Sequence, residues 1–199
     1  MDAHVKELLQ QMHETEKGGI QIYQTALSCV VNDDLKKEWT EYLEQTKRHE
    51  RVMSNLLEKL GVKTEETPGR KVVRHIGESL VSAMKMAKQA GEPEAAEIVA
   101  TECVVFAETK DHMNWHLLSE VAAGAKGDEK KALKEACDEV EDQEDEHVYH
   151  SKGWSRELWM NCLGLDAVLP PPEEQKDVKT AIGAARAKNA RGSMRSEKK

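Results

Sequence analysis

Val140, Glu144, His147, Ser151, Trp154 and Leu158 recur at steps of three and four, the spacing that lines up one face of an α-helix. Leu133 and Cys137 carry the same face toward the N-terminus, so a carboxylate and an imidazole stand in an otherwise apolar row. An ionised side chain on a core-facing stripe is costly unless a counter-charge or a metal ion compensates it. Eight of the residues 135–146 are acidic, so a Glu three before a histidine also arises here from composition alone. The weight of the Glu144-x-x-His147 pair therefore depends on what the other helices carry.

Helix 1 is predicted from His4 to Val30, with the stripe Leu9, Met12, Glu16, Ile20, Tyr23, Leu27 and Val30 and a single acid in it. Gly18-Gly19 lowers its propensity, either to admit a neighbouring helix or as a tolerated cost. Asn32-Asp33-Asp34 reads as a turn and N-cap, and a connection this short makes the next helix an antiparallel neighbour. That second helix spans Asp34–Leu60 and stops at Gly61, a favoured C-terminal residue. Its stripe is Leu35, Trp39, Tyr42/Leu43, Thr46, His49, Met53, Leu56 and Leu60. After a loop around Pro68-Gly69, Lys71–Ala90 forms an additional helix. Pro93 opens helix 3, which runs to Ala123 with Ile98, Val105, Glu108, His112, Trp115 and Leu118 facing inward. Helix 4 covers Glu129–Cys162.

A chain of 199 residues with 33% charged residues, five prolines and one Phe reads as all-α, with one core. Residues 1–165 form the helical domain, and residues 166–199 a Pro-containing linker and basic tail. Residues 176–199 carry eight Lys/Arg against two acids, so the net charge of −8 hides a strongly acidic body. Such a body suits cations and disfavours nucleic acid; only the basic tail offers a nucleic-acid or partner contact. No run approaches the ~18–20 apolar residues of a membrane span, and the N-terminus lacks the apolar core of a signal peptide. Cys29, Cys103, Cys137 and Cys162 stand singly, which argues against a thiolate metal site and points to a reduced, cytoplasmic setting. There is no phosphate-binding glycine loop, no Gly-x-Ser-x-Gly and no His-Glu-x-x-His.

Two hairpins emerge, joined by a long crossover that contains its own helix. Each repeats one arrangement: Glu16 is followed seven residues later by Tyr23, and Glu108 seven later by Trp115. After each turn comes His49 in one hairpin and Glu144-x-x-His147 in the other. All five polar residues fall near the middle of helices ~40 Å long, so antiparallel packing brings them to one level.

This arrangement resembles the ferritin-like superfamily, and among its members the small bacterial stress-associated bundles. The resemblance covers residues 4–162 and implies a four-helix bundle of two antiparallel hairpins. It also implies a metal site of Glu16, His49, Glu108, Glu144 and His147, with Tyr23, Thr46 and Trp115 around it. The metal implied is iron, as one or two ions; manganese and zinc suit the same ligands. The chemistry implied is a di-iron oxidoreductase, ferroxidase- or peroxidase-like, in metal handling or oxidative-stress protection, in a homodimer or larger homo-oligomer. One position departs from the pattern: three before His49 stands Thr46 where the family has Glu. Three carboxylates leave two divalent cations with an uncompensated positive charge, which weakens or removes the second metal. Glu50 or His112 is the available substitute ligand. Asp111, Glu102, His116 and His150 carry weaker signals, and His4, His13 and His75 read as surface residues. Without Cys-x-x-Cys pairs there is no rubredoxin-like module. Two other readings compete: a non-catalytic stress or scaffold bundle with a degenerate site, and a hemerythrin-like oxygen binder suggested by His112-x-x-x-His116.

Overall fold

The computed structural model describes residues 1–168 and Pro172. The basic tail at 176–199, and a short helix expected near Asp177–Ala187, lie outside them. Five helices and no strand make up the described residues: α1 Ala3–Ala26, α2 Asp33–Lys59, α3 Pro68–Gln89, α4 Pro93–Gly124 and α5 Gly127–Cys162. None of these helices is long and apolar enough to cross a membrane.

Local chemistry sets the boundaries. The Asn32 side chain accepts from the backbone N–H groups of Asp34 and Leu35 at 3.0 and 3.1 Å, satisfying two donors that a helix start leaves open. Asp33 and Asp34 place negative charge at the same positive helix end. Glu97 of α4 reaches across to accept from the N–H groups of Val31 and Asn32 at 2.9 and 2.7 Å. That contact fastens the α1–α2 turn to α4. Thr67 caps α3 through the Arg70 N–H at 3.1 Å, with Pro68 in its first turn. Gly61 and Gly91 take positive φ of 64° and 87° just beyond α2 and α3, where a side chain would be strained.

The α4–α5 pair packs most extensively; α1 lies against α2, α3 and α4, and α2 against α5. Helix α3 rests on α1 and α4. Its anchor is charged: Glu14, buried on α1, accepts from Arg70 Nε at 2.6 Å and Arg74 Nε at 2.7 Å. Gly19 marks the close approach of α1 to α2, since a Cβ there would lie 3.1 Å from the Thr46 methyl. Of the two accounts of the glycine pair, close approach applies at Gly19.

The apolar interior falls into two clusters. One gathers Ile22, Tyr23, Leu35, Trp39, Tyr42, Met84 and Val104, with Trp154 and Leu158 packed on it. The other gathers Leu9, Met12, Met53, Leu56, Trp115, Leu118, Leu133 and Val140. In sequence along α1, α2, α4 and α5, the residues between these clusters are Glu16, Thr46 and His49, Glu108 and Asp111, and Glu144 and His147, all buried. The polar residues therefore occupy the middle stretch of each helix, with apolar packing on either side of them.

Candidate metal centre

Each central side chain comes from a different turn of a buried helix face. Glu16, Glu144, His147 and His49 are at most 1% exposed, and Glu108 is 4%. On α4 the inward row is Val104, Glu108, Asp111, Trp115, Leu118 and Ala122, one residue out of phase with the expected Val105 and His112. The shift turns Asp111 into the interior and His112 toward α5, where it pairs with Asp145 at 2.8 Å. His112 is thus no substitute ligand. Glu50 accepts from Ser54 and faces His13 at 3.1 Å, outside both groups of ligand atoms, though its charge still bears on Glu16. His13, read as a surface residue, is buried in that contact. His116 is exposed, which removes the inward histidine that a hemerythrin-like site needs.

His49, Glu144 and His147 offer ligand atoms within 4.8 Å of one another, and Glu16, Asp111 and Glu144 form a second such group. Glu144 is common to both. Glu108 adjoins the first group, with Oε2 3.5 Å from His147 Nδ1. All five residues expected at the site therefore come together, joined by Asp111. Asp111 stands three residues after Glu108, as His147 stands three after Glu144; that spacing was the available signal.

The imidazoles are oriented by amides. His147 Nε2 lies 2.6 Å from Gln45 Oε1, and His49 Nε2 lies 2.9 Å from Gln143 Oε1. An amide oxygen only accepts, so in each ring Nε2 carries the proton and donates it. The bonds cross between helices: Gln45 is four before His49 yet holds His147, and Gln143 is four before His147 yet holds His49. A repeated Gln-x-x-x-His is thus a second signal, missed because glutamine is rarely weighed as part of a site. With Nε2 the donor, Nδ1 of each ring faces the cluster and, in a neutral ring, presents a lone pair to it. His49 Nδ1 is 2.8 Å from Glu144 Oε1, and His147 Nδ1 is 3.8 Å from the same oxygen. Neither Nδ1 has a hydrogen-bond partner, and neither do Glu16 Oε2, Glu108 Oε2, Asp111 Oδ1 or Glu144 Oε2.

Lone pairs facing lone pairs in a dry interior need a proton or a metal cation between them. The electrostatics agree. Burial, then Glu108 and Glu16, pushes the Glu144 carboxyl well above its usual range, against the pull of His147. Burial and Asp111 do the same to Glu16, opposed by a 2.8 Å hydrogen bond from Trp115 Nε1. Asp111 is raised by burial, Glu144 and Glu108. Burial holds His49 below the ordinary imidazole value, opposed by Gln143. Carboxyls that resist ionisation beside an imidazole, His49, that resists protonation are a combination a cation relieves.

Glu16, Glu108, Asp111 and Glu144 make four carboxylates, enough to neutralise two divalent ions. Two of the four come from α4, and none from position 46 of α2. Thr46 itself donates through Oγ1 to the Tyr42 carbonyl at 2.9 Å and directs no ligand inward. Tyr23 and Trp115 border the cluster, Tyr23 edge-on to His147 with ring centroids 6.0 Å apart.

No known family model matches the chain, and no curated protein or solved structure does.

Proposed function

We propose that this chain is a ferritin-like metal protein whose buried site holds iron, as one or two ions, and oxidises Fe(II) with dioxygen or peroxide. The observation that carries this reading is the pair of imidazoles whose Nδ1 lone pairs are turned by Gln45 and Gln143 into a dry group of carboxylates. His49, Glu144 and His147, with Glu108, would hold one ion; Glu16, Asp111 and Glu144 would hold the other. Mixed nitrogen and oxygen ligation suits iron, manganese or zinc. The contacts α1–α2, α2–α5, α5–α4 and α4–α1 close a ring, which supports a four-helix bundle with α3 as the helix of the crossover. Bound iron would supply the redox chemistry. The chain fixes the imidazole orientation, excludes water from the ligands and holds the Glu16 carboxylate through Trp115. The cellular role consistent with this is metal handling or oxidative-stress protection.

Anaerobic titration of metal-free protein with Fe(II), followed by air, tests the reading. Saturable binding of up to two ions and a new visible absorbance on oxidation are expected; no binding overturns it. A non-catalytic bundle is the second reading, favoured by Thr46, which directs no ligand inward. It requires that protein purified without chelators carry no stoichiometric iron, manganese or zinc.

A further inference from the structure

Tyr42 lies between the metal centre and solvent. Its ring packs on that of His147, with centroids 4.2 Å apart and planes tilted by 36°. Its hydroxyl, at the other end, donates to Glu38 Oε1 at 2.9 Å and lies 2.8 Å from His150 Nδ1. Glu38 Oε1 and His150 Nδ1 are themselves 3.3 Å apart, and their side chains are 26% and 41% exposed. Trp154 Nε1 fixes the other Glu38 oxygen at 3.0 Å. A buried phenol thus touches a candidate ligand at one end and, at the other, a carboxylate and an imidazole that face water. Tyr23 provides the contrast. It too neighbours His147, but its hydroxyl is buried against Glu108, itself buried, so its proton has no acceptor that faces water. Removing an electron from a phenol makes its proton strongly acidic, so oxidation is accessible where a base can take that proton in the same event.

We propose that Tyr42 is a redox-active residue that sends one electron inward, past His147, and its phenolic proton outward to Glu38 and His150. In the step the Tyr42 O–H bond breaks and the proton passes to Glu38 Oε1 or, along the same contact, to His150. Iron held by His147 and its neighbours, once oxidised by dioxygen or peroxide, would accept the electron, and Tyr42 is left as a neutral phenoxyl radical. A soluble one-electron reductant, such as a thiol, restores Tyr42, and the carboxyl or imidazole returns the proton. The inward half of this relay rests on the metal reading above; the outward half rests on the Tyr42–Glu38–His150 contacts alone.

The two halves are tested separately. Metal-free protein is oxidised by flash-generated ruthenium(III) tris-bipyridine, and the radical is read by EPR. The wild type should give a tyrosyl signal that Tyr42→Phe abolishes and Tyr149→Phe leaves. Tyr42→Phe keeps the ring on His147, and circular dichroism checks that it folds. In Glu38→Gln/His150→Leu, formation of the radical should slow by about 100-fold or more, the low end of what a positioned proton acceptor contributes. A signal that survives Tyr42→Phe, or a rate indifferent to both acceptors, overturns the relay. Protein loaded with Fe(II) and exposed to oxygen should then give the same radical. If iron binds and oxidises but Tyr42 stays silent, the relay fails while the metal reading stands. If no iron binds, the metal reading fails and takes the inward step with it.

Discussion

Glu144 belongs to both groups of ligand atoms, whereas Asp111 belongs to one. The two residues should therefore fail differently. Glu144→Gln should abolish stoichiometric metal. Asp111→Asn should keep the ion nearest the histidines and lose the other, with elemental analysis giving at most one ion per chain; two retained ions would remove Asp111 from the site. The same residues show how far the sequence could be read. Glu16, His49, Glu108, Glu144 and His147 were legible because each interrupts an apolar row at helical spacing. Asp111 was not, because Val105 and His112 fit an inward row almost as well as Val104 and Asp111. One residue is only 100° of helix rotation, and a broad apolar face accommodates either phase. The glutamines were invisible for another reason: a neutral amide on a helix carries no cost that demands explanation until its partner is known.

At the scale of elements, α3 is held to α1 by a buried ion pair as well as by the apolar packing of Met84 and Leu80. Burial alone would raise the Glu14 carboxyl, but hydrogen bonds from Arg74 and Arg70 outweigh it and hold it down to about 2. A carboxyl whose folded value lies below its unfolded one contributes stability above the unfolded value. That contribution is lost as pH falls from about 4.5 toward about 2. Arg70, buried on the carboxylate, should be the costlier of the two arginines to lose: Arg70→Ala should destabilise by roughly 3 kcal/mol, the lower end for breaking a buried pair, because Arg74 remains. Its urea midpoint should also lose part of its dependence on pH below about 4.5. An unchanged midpoint would mean that apolar contacts alone hold α3. Sequence periodicity located α3 as a helix but not its register on α1, since Glu14, Arg70 and Arg74 meet across more than fifty residues of chain.

Across the whole molecule, the polar stretch interrupts the core, and on the proposed reading metal binding would be a term in global stability. Metal at a thousand times its dissociation constant adds about 4 kcal/mol to a fold that binds it only when native. Chelation should therefore lower the melting temperature. The loss should fall first on α2. This helix meets α5 less extensively than α4 does, and the crossed Gln–His pairs bridge that seam. Amide hydrogen exchange should accelerate in α2 around His49 more than in α4 when metal is removed; uniform acceleration would contradict this. The sequence by itself determined five helices, their approximate ends and the level on four of them where polarity interrupts the core. Helix period, caps and glycine stops are local, and each is written in a few neighbouring residues. Tertiary structure alone decided the rotational phase of α4, the crossing of each glutamine to the other helix's histidine, and the exit of Tyr42 to Glu38 and His150. These depend on which faces meet, and small rotations of packed helices exchange one inward residue for its neighbour without altering the pattern that forms them.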